Sequence, residues 1–313
     1  MPSQVKGARL RTLSRRRSWV QIPPPAPKVK KASVVLKKRC NNNLKGRQIE
    51  TQLQAVFLDY DGTISSLNVL KSESMVSSEN MAVLYQISRR IPVVVITTKD
   101  LSFVTKRTPF AYAWAGLGGL EIKVGDMITR ASCLKKMAMY LATTLEYAEG
   151  LLNDDLIIEE KRDSSGATVA FSVDWRQAKN RCKAEEKALK IISYCEKQSV
   201  VTIKYEGQPF FDVFPCPISK GKALMKLKQK LGLRNGILYM GDSSVDNAAF
   251  KVADIAVGVI HEETLDNLIC DYFVKFKDVA TFLKGLLKNG FHFSPKLPKI
   301  LGRSEAFQYI RRR

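Results

Sequence analysis

From residue 55 onward, five short apolar runs alternate with amphipathic segments: Ala55 to Asp59, Val93 to Thr97, Tyr112 to Leu117, Ile237 to Gly241 and Ile255 to Val259. Apolar runs without a period of two are strands buried on both faces, and the segments between them are the helices that cover those faces. The pattern predicts an α/β fold, a Rossmann-like parallel-sheet core. Helices are expected from about Glu79 to Arg90, capped by Ser78 and ended by Pro92, then near Lys220 to Leu231, after Val245, and near 278 to 288. Between roughly Glu121 and Glu206 the texture differs. Two long helical segments, near 133 to 152 and 177 to 197, are each followed by strand-like residues, which reads as an inserted α+β cap domain. The chain then divides into a basic tail (1–50), a core (51–120 and 207–292), a cap (121–206) and a basic C-terminal tail (293–313), with no internal repeat.

The apolar runs end in chemistry. The first closes on Asp59 and Asp61, followed by Gly62 and Thr63; the second closes on Thr97; a later one closes on Gly241 and Asp242, with Asp246 four residues on. In an open parallel sheet ligands bind beyond the carboxyl ends of the strands, where these groups fall. Each has a plainer reading: Asp-Gly as a strand-ending turn, Asp246 as an acid favoured at a helix start, Lys220 as a solvated surface lysine. Three polar strand tips and a lysine in this order are harder to dismiss together.

These residues resemble the four motifs of the haloacid dehalogenase superfamily: DYDGT at 59 to 63, Thr97, Lys220, and GDSSVD at 241 to 246. The resemblance covers about Val56 to Leu287. It implies a phosphoric monoester hydrolase in which Asp59 is the nucleophile, forming an aspartyl phosphate, and Asp61 the general acid and base. It also implies that Thr97 and Lys220 hold the phosphoryl oxygens, and that Asp59, Asp61 through its backbone carbonyl, Asp242 and Asp246 serve a Mg2+ ion.

Within the superfamily the chain is most similar to trehalose-6-phosphate phosphatases. The likeness lies in Lys-Gly-x-Ala at 220 to 223, Gly-Asp-x-x-x-Asp-x-x-x-Phe at 241 to 250, GLEI at 119 to 122, and Glu159, Lys161 and Arg176 as substrate-binding residues of the cap. It implies hydrolysis of trehalose 6-phosphate, and a trehalose-6-phosphate synthase as a partner. The departures are Thr97, Thr98 and Lys99 in place of Ser-Gly-Arg, Gly118 where Asn or His is common, Asp174 in place of a cap His, and Ser243 in place of a second Asp. They leave mannosyl-3-phosphoglycerate or broad sugar-phosphate hydrolysis as alternatives. Glu159, Lys161 and Arg176 also read as an ion-paired strand surface, and Trp175, Tyr205 and Phe211 as core rather than as a stacking face for a sugar.

The net charge of +21 is unevenly spread. Residues 1 to 50 hold fourteen Lys and Arg against the single Glu50, a net of +13, and the remaining 263 residues carry +8. The basic segment contains Pro23, Pro24, Pro25 and Pro27, lacks any period, and reads as disordered. Its SWVQIPPPAP stretch, from Ser18 to Pro27, looks like an accidental translation of a transfer-RNA T-arm, so a mis-assigned start is expected, with a true start near Val34, Val35 or Leu44. The rival reading is a nucleic-acid-binding arm on a catalytically silent phosphatase core. Six scattered cysteines without a C-x-x-C pair, two histidines, and no membrane-length apolar run make a soluble cytoplasmic protein the expectation.

Overall fold

The computed structural model describes residues 51–311 except 68, 70, 153–154, 206 and 262–266. The basic segment, with the start-site and nucleic-acid readings that rest on it, lies outside the described residues.

The core begins with β1 (Thr51–Gln52), β2 (Ala55–Leu58), α1 (Ser78–Ser88), β3 (Val93–Ile96), α2 (Leu101–Arg107), β4 (Ala113–Gly116), β5 (Glu121–Val124) and β6 (Met127–Arg130). The chain leaves it through α3 (Cys133–Lys136), α4 (Ala138–Glu149), β7 (Ile157–Arg162), β8 (Thr168–Asp174), α5 (Arg181–Lys197), β9 (Val201–Lys204) and β10 (Phe210–Phe214). It returns as α6 (Lys220–Lys230), β11 (Ile237–Gly241), α7 (Asn247–Phe250), β12 (Ile255–Ile260), β13 (Tyr272–Lys275), α8 (Val279–Lys288), β14 (His292–Phe293), β15 (Leu301–Gly302) and α9 (Arg303–Arg311).

The main sheet runs β15-β13-β12-β11-β2-β3-β4-β5-β6. It is parallel from β13 to β4 and antiparallel at both ends. Every residue of β2, β3, β4 and β11 is buried, because helices cover both faces. On one face α1 and α8 bring Val83, Leu84, Phe282 and Leu286 onto Val56 and Leu58. On the other, α6 and α7 bring Leu224, Leu227 and Phe250 onto Phe57, Val94 and Tyr239. From β2 the chain passes to β3 on one side and comes back as β11 on the other, and such a reversal of strand order opens a crevice past the carboxyl ends of the strands.

The inserted segment forms its own antiparallel sheet, β7-β8-β10-β9. Helices α4 and α5 pack on it through Leu141, Ala148, Ala188, Ile191 and Cys195, against Phe171, Val173, Phe211 and Val213.

Four boundaries differ from expectation. The β5–β6 hairpin pairs with β4 and belongs to the core sheet, so the second sheet starts beyond Arg130 rather than at residue 121. At its other end β10 pairs with β8 and β9, so the inserted module runs to Phe214 rather than ending at residue 206. Strand β6 is exposed at all four positions, which erased its apolar signature. Residues 293–313, expected as a basic tail, instead include β15, which pairs with β13, and α9, whose Ala306 is buried in the core. Helix α1 takes Ser77 as its cap, the hydroxyl accepting from the Asn80 backbone N–H. In addition, Cys133 and Cys216 form a disulfide between the segments leading into and out of the second sheet, a pairing that their separation of 83 residues does not announce. Among the described residues no helix is long and apolar enough to cross a membrane.

Candidate active site

Asp59 follows the last residue of β2, and its backbone N–H is tied to the Met240 carbonyl of β11. The β11 tip supplies Asp242, and the turn after it supplies Asp246. Gly62 fits between them because it has no side chain: its φ is +68°, and a Cβ there would lie 1.9 Å from the Asp242 carboxylate. A Cβ on Gly241 would likewise meet the Asp246 carboxyl carbon at 2.4 Å.

Lys220 opens α6, where the Ser219 hydroxyl accepts from the Lys222 N–H. Its ammonium is buried 2.8 Å from Asp59 Oδ1 and 2.8 Å from Asp246 Oδ1. Asp246 also accepts from the Tyr239 hydroxyl, the backbone N–H groups of Asp242 and Ser243, and the Ser243 hydroxyl, so both its oxygens are engaged. Asp61 is half-buried at the mouth, with the Ser74 hydroxyl 3.4 Å and the Lys99 ammonium 3.9 Å from its carboxylate.

The electrostatics are those of too many acids for one cation. Burial pushes the Asp59 carboxyl up to about 7, against the pull of Lys220, and the charges of Asp246 and Asp61 add to the rise. Asp242 is raised well above the carboxylate range by burial and then by Asp59 and Asp246. Lys220 is displaced upward: burial opposes its charge, but Asp246 and Asp59 outweigh it. Oxygens of Asp59, Asp242 and Asp246 lie within 4.8 Å of one another. An all-oxygen set with surplus negative charge suits a hard divalent cation of the Mg2+ kind.

Thr97 sits buried at the β3 tip, where its hydroxyl accepts from the Lys99 N–H. It does not line the cavity; Thr98 and Lys99 do. The cavity runs from Asp59, Asp61, Lys220 and Asp242 to Glu159, Lys161, Asp174 and Arg176 of the second module. The expected core and cap residues therefore face one another across it.

Glu159, Lys161 and Arg176 are each ion-paired within the protein. Lys161 is buried and ion-paired with Asp212 at 2.7 Å. Arg176 is held by Asp174, the Nη2–Oδ2 distance being 2.6 Å, and donates to the Leu67 carbonyl of the core at 2.8 Å. Glu159 meets two core lysines, Lys71 at 3.0 Å and Lys99 at 3.7 Å. Trp175 and Phe211 pack in the second module's core, whereas the half-buried Tyr205 lines the cavity and donates to Asp212.

Sequence reasoning missed His261. It stands immediately after β12, stacks on Phe276 with ring centroids 4.9 Å apart, and bonds the Gly62 carbonyl at 2.7 Å through Nε2. Burial lowers its pKa, so the neutral ring carries its proton on Nε2 toward Gly62. The rule that found Asp59 and Asp242, a polar residue just past a solid apolar strand, also points to His261. Lys71 lies in an irregular stretch that carries no such signal.

A family model described as sucrose-6F-phosphate phosphohydrolase matches residues 150–284. Probable trehalose-phosphate phosphatase C of Arabidopsis thaliana is 26% identical over 87% of this chain and 85% of its own length. Probable trehalose-phosphate phosphatase D of the same plant is 27% identical over 66% of this chain and 58% of its own, and the Zea mays trehalose 6-phosphate phosphatase RA3 is 30% identical over 66% and 60%. The chain thus spans less than two thirds of most of these relatives. Among solved structures, the C-terminal domain of a C. albicans trehalose-6-phosphate phosphatase superposes with a TM-score of 0.63 at 17% identity, over 76% of this chain and 93% of that one. At that identity the likeness is one of fold.

Proposed function

We propose that this chain is a member of the haloacid dehalogenase superfamily and a Mg2+-dependent sugar-phosphate phosphatase, whose first substrate to test is trehalose 6-phosphate. The observation that carries the reading is the pairing of Asp59 with Lys220 at the floor of a cavity whose roof is polar and ion-paired.

Asp59 attacks phosphorus in line, forming the Asp59 Oδ–P bond as the bond from phosphorus to the sugar oxygen breaks. Asp61, at the cavity mouth, gives its proton to the departing sugar oxygen. In the second half, Asp61 takes a proton from water as that water attacks phosphorus, and Asp59 leaves as a carboxylate. Lys220 offsets the charge of Asp59 and binds a phosphoryl oxygen, with Thr97 at the neighbouring tip. Asp59, Asp242 and the Asp61 carbonyl would hold the ion, with Asp246 behind them fixing Lys220 and the β11 turn. Bound Mg2+ supplies positive charge that keeps Asp59 ionised and shields the phosphate from the surrounding carboxylates.

The substrate side rests on the trehalose-phosphate phosphatase relatives, and the sucrose-phosphate family model argues for the same class of disaccharide monophosphate. A synthase that makes the phosphorylated disaccharide is the partner this reading implies. The cytoplasmic home expected of the chain is a reducing compartment, in which the Cys133–Cys216 bond would open to two thiols.

Phosphate release should be followed over trehalose 6-phosphate, sucrose 6F-phosphate, mannosyl-3-phosphoglycerate and simple hexose phosphates, with Mg2+ and with EDTA. The expected outcome is Mg2+-dependent release that is greatest for trehalose 6-phosphate and absent in Asp59→Asn. Undiminished turnover in that variant would refute the mechanism.

A further inference from the structure

Five side chains of alternating sign form a chain from the core to the cap and back: Asp100, Lys71, Glu159, Lys99 and Asp61. The links are 3.5, 3.0, 3.7 and 3.9 Å. Four of the five belong to the core, and only Glu159, on β7, comes from the second sheet. Lys71 also reaches the Glu160 carbonyl at 3.4 Å.

Without Glu159 the core side of this chain keeps two separate pairs, Asp100 with Lys71 and Asp61 with Lys99, and has no carboxylate between the two lysines. The Lys71 and Lys99 ammoniums lie 5.8 and 5.5 Å from the centre of the same Phe103 ring, over which the Arg107 guanidinium also sits at 3.9 Å. Three cations lie within about 6 Å of one aromatic ring, and the carboxylate that reaches two of them comes from the second module. The lysine and glutamate side chains are 16 to 28% exposed, so water screens the contacts only in part. One end of the chain rests on Asp61, which faces the reacting bond.

We propose that Glu159 acts chiefly as a latch held by Lys71 and Lys99, which keeps the cap closed over the cavity, making Lys71 and Lys99 positioning residues for leaving groups large enough to need the cap. The kinetic part of this rests on the phosphatase reading above. Lys71 is the informative residue, because it lies outside the cavity lining.

The test is a double-mutant cycle on Lys71→Met and Glu159→Gln in the full chain, read with trehalose 6-phosphate and with p-nitrophenyl phosphate, an aryl ester too small to fill the cavity. Each substitution should lower kcat/KM for the disaccharide about tenfold, and the double variant should be no worse than the poorer single one, the mark of coupled groups. Turnover of the aryl ester by Lys71→Met should match that of the parent. A second readout needs no turnover: electron–electron distances between spin labels at the exposed Cys182 of the cap and at Lys284→Cys of the core. The parent should give one narrow distribution, and Lys71→Met a broader, longer one. Additive losses, equal losses on both esters, or unchanged distances would overturn the latch. If the parent hydrolyses neither ester, the phosphatase reading fails and the distances alone decide the latch.

Discussion

The Lys220 ammonium contacts both Asp59 and Asp246, and the neutral His261 ring is the cationisable group nearest Asp242 among the described residues, at 3.8 Å. Removing Lys220 therefore leaves Asp59 and Asp242 at the cavity, and Asp246 behind them, with only the metal to balance their charge, whereas Thr97 contributes a neutral hydroxyl that the Lys99 N–H already engages. Lys220→Ala should lower kcat by roughly a thousandfold, as expected for losing a charged contact to transition-state charge, and Thr97→Ala by about tenfold or less, since Thr97 lies outside the cavity lining and acts through the backbone of the β3 tip. Steady-state kinetics on the best substrate of the panel checks the ranking, and equal losses would mean that Lys220 serves the fold rather than the phosphate. The residues of this floor were legible in the sequence because a strand buried on both faces is a solid apolar run, so its first polar residue marks the tip. The contacts of Glu159 were not legible, since they depend on how two separately folded sheets dock.

At the scale of elements, Asp212 of β10 joins three others. It accepts from Ser172 of β8 at 2.6 Å, pairs with Lys161 of β7 at 2.7 Å, and accepts from Tyr205, just past β9, at 2.9 Å. Burial works to raise its carboxyl, but Lys161 and these donors prevail and hold it below the ordinary 3.8. A carboxyl depressed on folding adds stability that is present above its unfolded value and is lost as pH falls through the folded one. The second sheet should therefore lose melting temperature as the pH drops below about 4. Asp212→Ala strands the buried Lys161 ammonium and should cost about 3–5 kcal/mol in denaturant unfolding, while Lys161→Met with Asp212→Leu should recover most of that. A double variant as unstable as the single one would contradict the pairing. The sequence announced neither this network nor the β5–β6 hairpin: Lys161 and Asp212 sit on different strands 51 residues apart, and the four exposed residues of β6 carry no period to read.

For the whole molecule, the strand order of the core sheet puts Asp59 at the reversal point and the second sheet above it, so the fold itself gathers the acids, the lysine and the cavity. The alternation of apolar runs and helices made that architecture readable, while the C-terminal strand and helix escaped because their charged sequence hides the core contacts of Leu301 and Ala306. Everything proposed about the reaction turns on whether Asp59 itself carries the phosphoryl group. Turnover quenched with borohydride, which reduces an aspartyl phosphate to homoserine, followed by peptide mass spectrometry, reads that directly. The account predicts homoserine at position 59, formed only when Mg2+ and a phosphate ester are both present. Steady phosphate release with an unmodified Asp59, or with the label at another residue, would contradict it.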